Sequence, residues 1–90
     1  MITKVEVYKN LKKLLGAQWD DDTENDIVAA FEDYYEESGE TFIVVSDLNQ
    51  QTWIDDIKCH KYQAYATNAS NDNGFVIYIS NNKIVEIEEI

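Results

Sequence analysis

Phe75-Val76-Ile77-Tyr78-Ile79, Ser80-Asn81-Asn82-Lys83 and Ile84-Val85-Glu86-Ile87-Glu88-Glu89-Ile90 together decide the fold. The first run is apolar and rich in β-branched and aromatic residues, which favours a strand. The Asn pair between the runs tolerates the positive φ of a tight hairpin turn. The last run returns as a strand, with Val85 and Ile87 set against Glu86 and Glu88. An antiparallel sheet therefore forms the C-terminal half.

Moving upstream, Thr67 to Gly74 reads as a polar loop. Lys58 to Ala66 reads as a strand with Tyr62, Ala64 and Ala66 on one face. Trp53 to Ile57 is ambiguous, and Leu48-Asn49-Gln50-Gln51 reads as a turn. Thr41 to Val45 is a further strand. Before Gly39 the period changes. Ile27, Val28, Phe31, Tyr34 and Tyr35 fall on one helical stripe, opposite Asp26, Glu32, Asp33, Glu36 and Glu37. Asp22 or Thr23 is the expected cap, and Gly39 the stop. Gln18 to Asp22 is a linker from which Trp19 folds back onto the core. The first segment predicts another helix, with Thr3 and Glu6 as a capping box and Ile2, Val5, Tyr8, Leu11, Leu14 and Leu15 as its stripe. Lys12 and Lys13 suit its last turn and Gly16 its C-cap. Val5-Glu6-Val7 also fits strand alternation. The expected class is α+β, a single domain over residues 1–90. Two N-terminal helices pack on one face of a three- or four-stranded antiparallel sheet, leaving the other face wet.

Charge is the second organising feature. Of the 90 residues, 18 are acidic and seven basic, for a net charge of −11. Residues 17–56 hold thirteen acids and no Lys or Arg. Such a block repels nucleic acid and acidic membranes and attracts basic protein surfaces. All seven bases are Lys, whereas bidentate recognition of phosphates and base edges leans on Arg. Direct nucleic-acid binding is therefore not expected. No run approaches the 18 apolar residues of a membrane span. One cysteine, Cys59, permits no intrachain disulfide, and no signal-peptide pattern opens the chain, so a cytoplasmic protein is expected.

Catalytic and metal constellations are weak. Asp20, Asp22 and Glu24 match three positions of a calcium loop, but Asn25 and Phe31 stand where Gly and a bidentate Glu are needed. Cys59-His60 offers two zinc ligands where three or four are required, and neighbours on a strand face opposite ways. Cys59 is expected half-buried and His60 in solvent. No spacing singles out a carboxylate pair, and there is no glycine-rich phosphate loop. No metal, no cofactor and no enzymatic activity are expected.

The acidic block instead predicts a binding surface made by Asp20, Asp21, Asp22, Asp26, Glu32, Asp33, Glu36 and Glu37, with Asp47, Asp55 and Asp56 as outlying acids. B-form DNA carries one charge per roughly 1.7 Å of axis. Carboxylates on such a helix can stand in for phosphates before a basic groove. In length, acidity, lack of Arg and mixed α/β make-up the whole chain resembles the small acidic inhibitors of phages and mobile elements. These include anti-restriction proteins, anti-CRISPR proteins and DNA-glycosylase inhibitors; no shared motif carries the likeness. The resemblance implies a stoichiometric DNA-mimic inhibitor without cofactor, acting on a basic nucleic-acid-handling protein such as a CRISPR or restriction nuclease. If phage-encoded, it would act in the host cytoplasm. The alternative expectation is a structural or assembly subunit that homodimerises through a sheet edge, with the strand Ile84 to Ile90 as the open edge. Monomer and homodimer are both compatible with the sequence.

Overall fold

The computed structural model describes residues 4–31, 43–66 and 74–90. Two helices, α1 (Lys4–Lys12) and α2 (Asp21–Ala30), precede four strands: β1 (Ile43–Ile54), β2 (Ile57–Ala66), β3 (Phe75–Ser80) and β4 (Lys83–Glu89). The strands form one antiparallel meander in the order β1-β2-β3-β4. This is the α+β arrangement expected, with both helices contributing to a core on one sheet face. Val7 and Leu11 of α1, and Ile27, Ala30 and Phe31 of α2 and its C-cap, meet Ala64, Phe75, Ile77, Ile79, Ile84 and Ile87. Phe75 is fully buried between aromatic neighbours. Tyr8 stacks at 5.9 Å between ring centroids, and Phe31 meets it edge-on at 5.8 Å.

Val5-Glu6-Val7 is helical, and the buried stripe of α1 is Val7 and Leu11, flanked by Tyr8 and Leu14. Val5 and Leu15, expected inward, are exposed. Val5 lies on the helix face opposite Val7, Leu11 and Leu14, because residues two apart on a helix diverge by about 200°. Gly16 has φ +88 and ends the helical turns, as its C-cap role requires. Thr3 and Ile2, and likewise Tyr34, Tyr35 and Gly39, lie outside the described residues.

The cap of α2 is Asp20, earlier in the chain than expected. Asp20 has extended backbone and its carboxylate accepts the Thr23 N–H at 2.9 Å. Thr23 is buried, and its hydroxyl lies within reach of both the Gln18 carbonyl and the Asp20 carboxylate. With one proton to donate, the hydroxyl serves one of these acceptors at a time. Thr23 therefore belongs inside the helix, fastening it to the linker, and Asp22 projects to solvent. Trp19 does fold back, packing on Tyr62 at 4.7 Å.

β1 runs straight through the segment expected to turn. Its register with β2 shifts between Asp47 and Gln50, leaving Leu48 and Asn49 as extra residues, with Asn49 at φ 56. The Leu48–Gln51 turn signal thus marks a β-bulge. The true hairpin turn is Asp55-Asp56, at φ 49 and 66, the two consecutive positive φ values of the turn that matches strand twist. Asn81-Asn82 make the second such turn, as expected, at φ 52 and 63.

β4 differs in its facing. The register shifts between Tyr78 and Ile79, so that Ile79 opposes Ile84 while Tyr78 opposes Glu86. Val85 is the extra residue and is exposed; Ile84 and Ile87 are the buried pair. A one-residue insertion reverses the facing of the residues beyond it, so simple alternation misassigns Val85. The reverse face of the sheet is also drier than expected. Val76, Tyr78 and Cys59 are buried there, packed with Ile54. β3 carries no charged side chain, and before Ser80 its only polar side-chain atom is the Tyr78 hydroxyl, so both of its faces need cover. On the reverse face Lys61 and Glu86 flank Tyr78 in register, where long side chains can lay their stems along apolar surface.

Candidate protein-binding surface

Four of the eight residues expected to form the binding surface are described, and all four lie on or at the start of α2. Asp20 is committed to capping, and its carboxyl is held below the usual carboxylate range, first by the Thr23 N–H and then by the Thr23 hydroxyl. Asp21 and Asp22 are exposed in the first turn, and Asp26 is exposed one turn on. Glu24 is half-buried beside them. Glu32, Asp33, Glu36 and Glu37 lie outside the described residues. Acids in a first helical turn complement the positive end of the macrodipole, so part of this charge serves α2 itself.

What distinguishes α2 is that no described base neutralises its exposed acids. On the opposite side of the molecule every described β4 carboxylate is engaged. Glu86 lies 3.8 Å from Lys12 and accepts the Ile87 N–H at 2.9 Å. Glu88 accepts the Tyr78 hydroxyl proton at 2.9 Å, and Glu89 lies 3.9 Å from Lys4. α1 therefore brings its lysines to the acids of β4. Lys12 also sits 5.0 Å over the Tyr8 ring; the Tyr8 hydroxyl is the main reason its pKa is raised. No described base lies within ion-pair distance of Asp21, Asp22 or Asp26. Two of the three β4 acids, Glu86 and Glu89, thus lie beside lysines of α1, whereas Asp21, Asp22 and Asp26 of α2 lie beside no described base.

The outlying acids do not join α2 in one patch. α2 borders the start of β1, where Glu24, Asn25, Val28, Ile43 and Val45 line an open groove of about 250 Å³. That is below the roughly 300–1,000 Å³ of small-molecule sites. Asp55 and Asp56 lie ten residues further along β1, up to about 30 Å away at roughly 3.3 Å per residue. They share their hairpin tip with exposed Trp53 and Ile57. Asp47 is used locally: it lies 2.5 Å from His60 and accepts the Asn49 N–H at 2.7 Å. The His60 contact is the main reason its carboxyl sits below the usual range.

This Asp47–His60 pair was not foreseen. β2 alternation places His60 beside Tyr62, and the rings are 5.2 Å apart. Asp47 pairs with Tyr62 across the sheet, which places it on the same face and diagonal to His60. His60 is consequently half-buried on the helix side of the sheet. Cys59, next to it, faces the other way and is 1% exposed, more buried than expected. Burial pushes its thiol pKa up, which makes it a poor nucleophile. Asp20 to Glu24, read as part of a calcium-loop pattern, are wound into the start of α2 instead. Among the described residues no group of three or more His, Cys, Asp or Glu is arranged to hold a metal ion. Likewise no described helix is long and apolar enough to cross a membrane. No protein-family model, curated protein or solved structure matches the chain.

Proposed function

We propose that the chain is a non-catalytic, stoichiometric inhibitor whose α2 surface occupies the basic nucleic-acid-binding groove of a partner protein, of the kind found on CRISPR and restriction nucleases. The observation that carries this reading is the uncompensated charge of α2 beside a fully engaged β4. Five acids, Asp20, Asp21, Asp22, Glu24 and Asp26, fall within seven consecutive residues. At 1.5 Å per residue these positions span about 9 Å of axis. B-form DNA carries about five phosphates over the same length. A groove lined with Lys and Arg would meet a similar linear density of charge on either ligand. Glu32, Asp33, Glu36 and Glu37 continue the acidic run in the sequence after α2.

The test compares two variants of equal charge change. Asp21→Asn/Asp22→Asn/Asp26→Asn removes the free acids, whereas Glu86→Gln/Glu88→Gln/Glu89→Gln removes the engaged ones. Immobilised wild-type chain should capture a Lys/Arg-rich nucleic-acid-binding protein from host lysate, and duplex DNA should displace it. The α2 variant should lose that capture and the β4 variant retain it. Equal retention by both, or capture indifferent to added DNA, would remove the basis of the proposal.

A further inference from the structure

The two outer edges of the sheet are treated differently by the chain. β4 is closed from within. The Gly16 N–H donates to the Ile84 carbonyl at 2.8 Å, and the Ile84 N–H donates to Ala17 at 3.0 Å. Further along, the Ile87 N–H is taken by the Glu86 carboxylate, and the Ile87 carbonyl accepts the Tyr8 hydroxyl proton at 3.3 Å. The strand expected to serve as an open edge therefore has its protruding groups at Ile84 and Ile87 already satisfied. Over Gln50–Ile54 of β1, by contrast, no described residue hydrogen-bonds the outward backbone. Unpaired N–H and C=O groups on an edge are a template for another strand, and charged residues, especially Lys, are the usual protection. Gln50-Gln51-Thr52-Trp53-Ile54 contains no ionisable side chain. β3 last pairs with β2 at His60–Ile79, so beyond it β1 and β2 continue as a two-stranded arm. On that arm the free stretch of β2 carries Lys58, and β1 carries no charge.

We infer that the Gln50–Ile54 edge of β1 pairs antiparallel with the same edge of a second copy of this chain, joining two four-stranded sheets into one. A two-fold axis at Thr52 sets Gln51 opposite Trp53 of the second copy and Gln50 opposite Ile54. Cross-strand neighbours at that spacing are in contact. Trp53, 67% exposed in the single chain, gains cover in this pairing. Charge selects the occupant. A segment without ionisable groups gives a basic peptide nothing to pair with. It is also a place where two chains of net charge −11 can touch without setting acid against acid. Self-association through it should strengthen with salt, since salt screens the repulsion between the copies. Capture of a basic partner through α2 should instead weaken with salt, so the two ideas succeed or fail separately.

Sedimentation velocity across low to high micromolar protein, at about 50 and 500 mM salt, reads this directly. A concentration-dependent dimer is expected, tighter at high salt. Thr52→Lys places two like charges across the axis and should weaken the dimer by at least about tenfold. Val85→Lys makes the same charge change on exposed β4 and should leave it intact. In a Cys59→Ala background, Thr52→Cys should form an interchain disulfide on mild oxidation, because residues directly opposite in an antiparallel pair lie within disulfide reach. A strict monomer at both salts overturns the inference. So does equal weakening by the two Lys variants, or the absence of the Thr52→Cys cross-link.

Discussion

Gly16 and Gly74 offer a matched pair of perturbations. Both have positive φ, +88 and +77, so alanine at either incurs the left-handed backbone penalty, about 1–2 kcal/mol. They differ in what a Cβ would meet. At Gly16 nothing lies within 4 Å. At Gly74 a Cβ would stand 2.8 Å from the Tyr65 Cβ and 2.9 Å from the Ala64 carbonyl carbon, with the Ala64 carbonyl oxygen closer still. Ala64 is fully buried and pairs with Phe75 at the centre of the sheet. Gly74 cannot acquire a side chain unless β2 and β3 separate at that pair. The core around Phe75 would then loosen, and overpacking of this kind adds about 1–3 kcal/mol. Gly16→Ala should therefore cost about 1–2 kcal/mol and Gly74→Ala about 2–5 kcal/mol. A 90-residue domain has only about 5–13 kcal/mol to lose. Each kcal/mol moves the midpoint of a domain this size by about 4–8 °C. Thermal and urea unfolding followed by circular dichroism would measure both variants. Losses equal within about 0.5 kcal/mol would refute the close approach of residue 74 to β2.

Two pH limbs arise from the shifted groups. Asp20 is depressed, so the folded chain releases its proton more readily than the unfolded chain. Its contribution is complete above the ordinary value of 3.8 and is lost as pH falls through the lower folded value. Asp20→Asn keeps a good cap without the titration, so its urea midpoint should fall less steeply than wild type below about pH 4; identical acid limbs would contradict this. Tyr78 shifts the other way, pushed up to about 12 by burial and then by the Glu88 carboxylate that accepts its proton. The neutral phenol is favoured in the folded state. Stability from this group is therefore full below pH 10 and is lost as pH rises toward about 12. A tyrosinate absorbance phase near pH 12 should be present in wild type and absent in Tyr78→Phe; superimposable titrations would rule it out.

The fold was legible where a single local signal dominates. The Asn81-Asn82 turn and the β3 run carry their own geometry, and Ile27 and Phe31 mark the inner face of α2. Both bulges escaped, for the same reason. Asn49 is as compatible with a turn as with a bulge, and only the partner strand decides; Val85 has nothing local to mark it as an extra residue. The cap of α2 was misplaced because Asp20, Asp21, Asp22 and Thr23 are all good capping types. The choice rests on the buried Thr23 hydroxyl reaching the Gln18 carbonyl, a tertiary contact. The acidic block was plain from composition. Its division was not, because that depends on α1 laying Lys4 and Lys12 against β4 while leaving Asp21, Asp22 and Asp26 alone.

Whether the three free aspartates meet a basic groove, as we propose, is read by titrating the captured partner with the chain over a series of salt concentrations. Affinity should fall steeply with salt. The salt slope should be shallower for Asp21→Asn/Asp22→Asn/Asp26→Asn and unchanged for Glu86→Gln/Glu88→Gln/Glu89→Gln. An affinity insensitive to salt, or the same slope in all three proteins, would rule out that contact.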